Sequence, residues 1–259
     1  MKNKIMLRAD DLGYSEAVNY GIEKSVKSGL INNVGIMLNM EATLHGINLI
    51  KNEDVAFGQH TNICIGRPLS DPKLIPSITT SEGYFKTSKM YRESPIDFVV
   101  FEEALIEIEA QYKQFSSFFD KDPDYIEGHA IASNTFFKAL EYFATEHGLT
   151  YSGLPSNLEK SNSDGTDPAL MVNNTKVYMI MESMDKDYDP NRTFDKLISN
   201  RHSDGIDLMV FHPGYLDNYI LNHSSLLIPR VLEVDMLISE RTKDIIAENK
   251  LTLVKYNNL

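Results

Sequence analysis

The sequence predicts an α/β fold, with a (β/α) barrel as the leading architecture, and three observations carry that expectation. Short, nearly continuous apolar runs alternate with longer stretches of helical periodicity, the pattern of parallel strands covered on both faces. About eight such units fit along the chain, the number a closed barrel uses. The 259 residues suit one domain of that size class, and no repeat or linker divides residues 1–259. A doubly wound open sheet is the alternative that the same pattern allows.

Taken in order, Lys4–Ala9 reads as a buried strand. Ser15 is a good N-cap for a helix with Val18, Ile22 and Val26 on one face, and Gly29 can end it. Val34–Leu38 is a second strand, Ala42–Lys51 a helix, and Val55–Gln59 a third strand. Between Gly66 and Pro95 the rhythm breaks, with Pro68, Pro72, Pro76 and Gly83 among Ser and Thr clusters. A long stretch of that kind reads as a lid, a binding loop or a surface excursion. Alternation resumes with a helix over Phe98–Phe119, a strand at Tyr125–Glu127 and a helix over Thr135–Glu146 that Gly148 stops. Thr150–Ser152 is a short strand, and Pro155–Asn174 a second irregular stretch rich in Ser, Asn and Asp. Val177–Met181, Asp207–Phe211 and Thr252–Tyr256 read as strands; Arg192–Asn200 and Val231–Glu248 read as helices.

Composition excludes several function classes. The formal net charge of −12 repels phosphate backbones, so no nucleic-acid partner is expected. No stretch approaches the roughly 20 apolar residues of a membrane span, and the short run Ile5-Met6-Leu7 is too brief for a signal peptide. Cys64, the sole cysteine, is compatible with a reducing cytoplasm, the expected location. A homodimer is only the commonest default for such a chain.

The polar residues that look out of place fall at strand ends. Asp10 and Asp11 follow the first strand, His60 the third, His129 the fourth, and His212 the strand ending at Phe211. Parallel α/β folds gather their chemistry at these ends. One carboxylate with two imidazoles can hold a divalent metal and leave positions open for water and substrate. Adjacent aspartates diverge, so one can ligate while the other accepts a proton from water. His212, from a separate strand, can protonate a leaving group. Singly, each has a plainer reading: a helix-capping acid, a hydrogen-bonded core histidine, or a His-Pro-Gly turn.

In five segments the chain resembles the YdjC-like carbohydrate deacetylase family. They are Arg8-Ala9-Asp10-Asp11-Leu12-Gly13, Phe57-Gly58-Gln59-His60-Thr61-Asn62, Ile65-Gly66-Arg67-Pro68, Tyr125-Ile126-Glu127-Gly128-His129 and Leu208 through Tyr215. Pro229-Arg230 with Glu233 and Leu253-Val254-Lys255-Tyr256 extend the likeness to the C-terminal part. The resemblance implies an irregular, TIM-like (β/α) barrel with long inserted loops that removes acetyl groups from N-acetylated sugars. It implies one divalent metal, magnesium by family habit, held by Asp11, His60 and His129. Zinc, manganese or iron suits such a set as well, because nitrogen ligands fit magnesium poorly. Asp10 matches the base, His212 the acid, and Arg67 and Arg230 the substrate side. With no Trp in the chain, Tyr14, Tyr84 and Tyr215 are the candidate sugar platforms. The chain departs from the family pattern at Glu127, usually Asp, and at Ile131 and Ser133, where histidines are common. These departures keep two alternatives in view: hydrolysis of another amide or ester, and sugar binding without turnover.

Overall fold

In the computed structural model, which describes residues 3–153 and 169–259, the chain has a mixed α/β fold whose strands run mostly parallel. It divides into two units. One holds residues 3–35, 41–56 and 169–259; the other holds residues 36–40 and 57–153.

The first unit is built on β1 (Lys4–Leu12), which is buried from Ile5 onward and runs three residues beyond the expected end at Ala9. Its strand order is β2-β1-β7-β6-β5, with β2 at Asn33–Ile36, β7 at Ile206–Phe211, β6 at Thr175–Ile180 and β5 at Ala169–Val172. β1 and β7 are parallel, and their register sets Ala9 opposite Phe211. Asp10 and His212, each one residue further, therefore stand at the same end of the β1–β7 pair.

Packed with these strands is α1 (Glu16–Lys27), capped as expected by the Ser15 hydroxyl, which accepts the Val18 N–H. A Cβ on Gly21 of α1 would come within 2.5 Å of the Gly214 backbone, so only glycine lets the helix approach the loop after β7 so closely. α2 (Thr43–Ile50), α6 (Pro190–Ser199) and the short α7 (Asn218–His223) complete the early and middle part.

Several expectations change here. The helix read over Val231–Glu248 is two helices, α8 (Ile228–Ile238) and α9 (Glu240–Glu248). Ser239 ends one with extended backbone and caps the next through its hydroxyl. The last strand, β8, is confined to Thr252–Leu253, where it pairs with the start of β1. Of the irregular stretch Pro155–Asn174, residues 155–168 lie outside the described residues. Its end is β5, which pairs antiparallel with β6 across a turn at Asn173 and Asn174. Both turn residues have positive φ, 45° and 64°, which Asn tolerates and a tight hairpin requires.

In the second unit β3 (Ala56–Thr61) and β4 (Tyr125–Gly128) are parallel neighbours, with His60 directly opposite Glu127. The expected strand at Thr150–Ser152 is only a bridge between Tyr151 and Ile126. α4 (Phe101–Phe119) and α5 (Asn134–His147) pack over a core that includes Ile108, Ile126, Phe136 and Leu140.

The Gly66–Pro95 segment has structure of its own. It buries Ile75, Ile78 and Phe85 in the same core, pairs Thr79 with Phe85, and carries the short α3 (Ser88–Glu93). Periodicity missed it because its buried residues are spaced by prolines and turns rather than by a helix or strand repeat. No helix among the described residues is long and apolar enough to cross a membrane.

Candidate active site

Within the first unit, β1 delivers two buried carboxylates, each held by an arginine. Arg8 and Asp10 stand two apart on one strand, so they share a face. The Arg8 Nη2 donates to Asp10 Oδ2 at 2.8 Å, and its Nη1 donates to the Tyr256 hydroxyl at 3.1 Å. Arg230, from α8, donates to Asp11 Oδ2 at 2.7 Å. The same guanidinium reaches the carbonyls of Leu226 at 2.9 Å and His212 at 3.2 Å. All four side chains are at most 3% exposed.

Asp11 also has φ of 78°, in the left-handed region that costs a non-glycine residue on the order of 1–3 kcal/mol.

His212 follows β7. Its N–H donates to Glu233 at 2.6 Å, and its Nδ1 lies 3.2 Å from the Ser183 hydroxyl. Glu233 is fully buried and also accepts the Tyr188 hydroxyl at 2.8 Å. Burial pushes its carboxyl up to about 8, against the hydrogen bonds from His212 and Tyr188 and the charge of Arg230, which all oppose the rise.

The second unit gathers imidazoles around an acid. The β3–β4 register sets His60 beside Glu127, and His129 follows directly after the end of β4. Glu127 Oε1 accepts the His60 Nδ1–H, which leaves the Nε2 lone pair of His60 turned away from it. Nε2 faces His129 Nδ1 at 2.8 Å, with the rings nearly perpendicular at 83°.

Two ring nitrogens this close share either a proton or a cation. Neighbouring ligand positions on an ion with 2.0–2.1 Å bonds are separated by roughly 3 Å, so the pair fits a divalent metal. A carboxylate behind a ligating imidazole is the usual support for such a bond.

The positions where this chain departs from the family pattern have structural occupations. Ile131 is packed into the core of the second unit. Ser133 caps α5 by accepting the Phe136 N–H and also donates to Asp97. Glu127 orients His60.

Of the residues expected on the substrate side, Arg67 is exposed, its guanidinium 3.9 Å above the Tyr84 ring. Tyr215 is half-buried, and its backbone N–H is tied to Ala17. Arg230 is 2% exposed and engaged with Asp11, which suits holding that carboxylate better than touching a substrate. Arg8, Tyr188 and Ser183 are functional-site neighbours that the sequence alone does not single out. Arg8 was within reach, since a strand places residues two apart side by side. Nothing local marks Tyr188 or Ser183.

The chain is 30% identical over 261 residues to a carbohydrate deacetylase of Clostridium beijerinckii, covering 99% of this chain and all of that one. It is 27% identical over 273 residues to carbohydrate deacetylase 2 of Listeria innocua, covering 99% and 98%. In fold it matches an Enterococcus faecalis crystal structure provisionally described as a cellobiose-phosphate cleavage protein. There the TM-score is 0.80 at 22% identity, over 99% of this chain and 98% of that one. Residues 4–248 match the YdjC-like protein family, and the chain belongs to that family.

Proposed function

We propose that this protein is a metal-dependent hydrolase that removes the acetyl group from an N-acetylated sugar or small oligosaccharide. The observation that carries the reading is the His60–His129 pair backed by Glu127, in a chain whose curated relatives are carbohydrate deacetylases.

The proposed ligands are Asp11, His60 and His129, one of two donor sets with suitable chemistry. The other, Asp10 with His60 and Glu127, is the weaker choice. Glu127 already takes the proton side of His60, and Arg8 engages Asp10. Two imidazoles favour zinc, manganese or iron over magnesium. A divalent ion held there would acidify a water and polarise the acetyl carbonyl.

The chain's own residues do the rest. Asp10 takes the proton from the attacking water, with Arg8 fixing one of its oxygens. His212 gives a proton to the departing sugar amine. Its main chain is gripped by Glu233 through the N–H and by Arg230 through the carbonyl, which sets where the ring stands. Arg230 holds Asp11, and Arg67 with Tyr215 is proposed to meet the sugar.

The chain is proposed to serve as one catalytic domain over residues 1–259, as the match over nearly its whole length supports. A reducing cytoplasm is the proposed setting, supported by the single buried cysteine. The absence of the family's histidines at Ile131 and Ser133 favours, as a second reading, metal-dependent hydrolysis of another amide or ester.

The test is acetate release from N-acetylglucosamine oligomers by metal-loaded protein. Asp10→Asn and His212→Ala should each lower kcat by at least about a hundredfold. Undiminished activity in both variants would remove the assigned roles, and release of a different acid would favour the second reading.

A further inference from the structure

Glu107 takes no part in this chemistry, yet it is a wholly buried carboxylate in the second unit. It sits on α4 and accepts four hydrogen bonds: from the Leu69 N–H at 3.1 Å, the Ser70 N–H at 3.0 Å, the Ser70 hydroxyl at 2.6 Å and the Gln111 amide at 2.9 Å. Gln111, one turn further along α4, is also wholly buried. Its Oε1 accepts the Asn62 N–H at 3.1 Å, and its Nε2 donates to the Asn62 carbonyl at 2.7 Å. One pair of residues on one helix face thus grips both ends of the segment 62–70.

The middle is pinned as well. Asn62 Oδ1 accepts the N–H groups of Cys64 and Ile65, and Asn39 donates to the carbonyls of Ile65 and Arg67. That segment carries Arg67, whose Nη1 donates to the carbonyls of Glu82 and Gly83 while its guanidinium lies on Tyr84. The Tyr84 ring is 46% exposed.

We infer that Glu107 is a positioning residue for substrate: it fixes segment 62–70 so that Arg67 and Tyr84 form a preset face for the sugar. Ordering that loop beforehand removes a cost otherwise met on binding. A carboxylate is required because each oxygen meets a main-chain N–H. An amide in its place would set one NH₂ group against an N–H donor. The inference rests on the deacetylase reading and on Arg67 as a substrate contact.

The experiment is a double-mutant cycle on binding of the N-acetylglucosamine trimer, by calorimetry, with metal-loaded wild type, Glu107→Gln, Arg67→Ala and the double variant. Each single change should weaken binding about tenfold, the scale of a lost hydrogen bond to a charged group. The double variant should bind no worse than either single one, because both remove the same contact. In turnover, Glu107→Gln should raise KM while leaving kcat within about twofold.

Glu107→Asp, which keeps both acceptors, should recover part of the loss. Ser70→Ala, a milder cut in the same clamp, should move binding in the same direction if Glu107→Gln does not fold. Additive losses, wild-type affinity in Glu107→Gln, or a fall in kcat at constant KM would overturn the inference. Trimer binding by wild type without acetate release would sink only the deacetylase reading and leave the cycle to decide; no trimer binding would overturn both.

Discussion

In the first unit acids are buried against cations, Asp10 on Arg8 and Asp11 on Arg230. In the second, imidazoles are buried against an acid, His60 on Glu127 with His129 alongside. The difference matters for what each support does. A carboxylate buried against a guanidinium is buried as an ion pair, so removing its arginine leaves an uncompensated charge in a dry interior. An imidazole can become neutral, so removing its glutamate loses orientation and tautomer while leaving no stranded charge. The arginines should therefore be read mainly as stability elements with a positional role, and Glu127 as a positional element with a small stability role.

The sharpest way to break that contrast is Arg230→Met, which strips the donor from Asp11 and from the carbonyls of Leu226 and His212. Unfolding in urea should show a loss of roughly 3–5 kcal/mol, the usual cost of orphaning a buried charge. A loss under about 1 kcal/mol would mean that Asp11 is not held as described.

Comparable in size is the pH dependence of stability from Glu233. Its folded value of about 8 lies above the unfolded value near 4.5, so the fold favours its neutral form. Its contribution is fully present below pH 4.5 and is lost as pH rises through 8, at about 1.4 kcal/mol per unit across that window. Urea titrations between pH 5 and 8 should show a shallower decline in Glu233→Gln than in wild type. Parallel curves would contradict the assignment.

Glu127→Leu should weaken metal binding about 10- to 100-fold in a chelator competition, with a far smaller change in urea midpoint than Arg230→Met. An equal drop in stability would erase the distinction between the two halves.

The smallest effect concerns Ala130, the residue after His129, which has φ of 56°. Ala130→Gly should stabilise the fold by about 1 kcal/mol, since glycine adopts that conformation without strain. A destabilised variant would show that the Ala130 methyl group has a packing role.

Much of this was legible in the sequence, for physical reasons. β1, β3, β4 and β7 are short apolar runs ending in Asp or His, so the candidate residues stood out by their contrast with the strands before them. Ser15 announced α1 through its capping chemistry. What stayed hidden depends on register or on distant partners. That Glu127 lies beside His60 follows only once β3 and β4 are paired, and Arg230 reaches Asp11 across 219 positions of chain. The β5–β6 hairpin could have been read from Asn173-Asn174, a dipeptide suited to two positive φ values. The break at Ser239 had its signal too, a capping residue inside an apolar periodicity that otherwise runs on.

The proposed metal site meets its most direct test in the anomalous diffraction of crystals loaded with zinc or manganese. A single strong peak is expected within about 2.0–2.3 Å of Asp11, His60 and His129, with Glu127 on the far side of His60. A peak on Asp10 and Glu127, or full occupancy without either histidine, would contradict it.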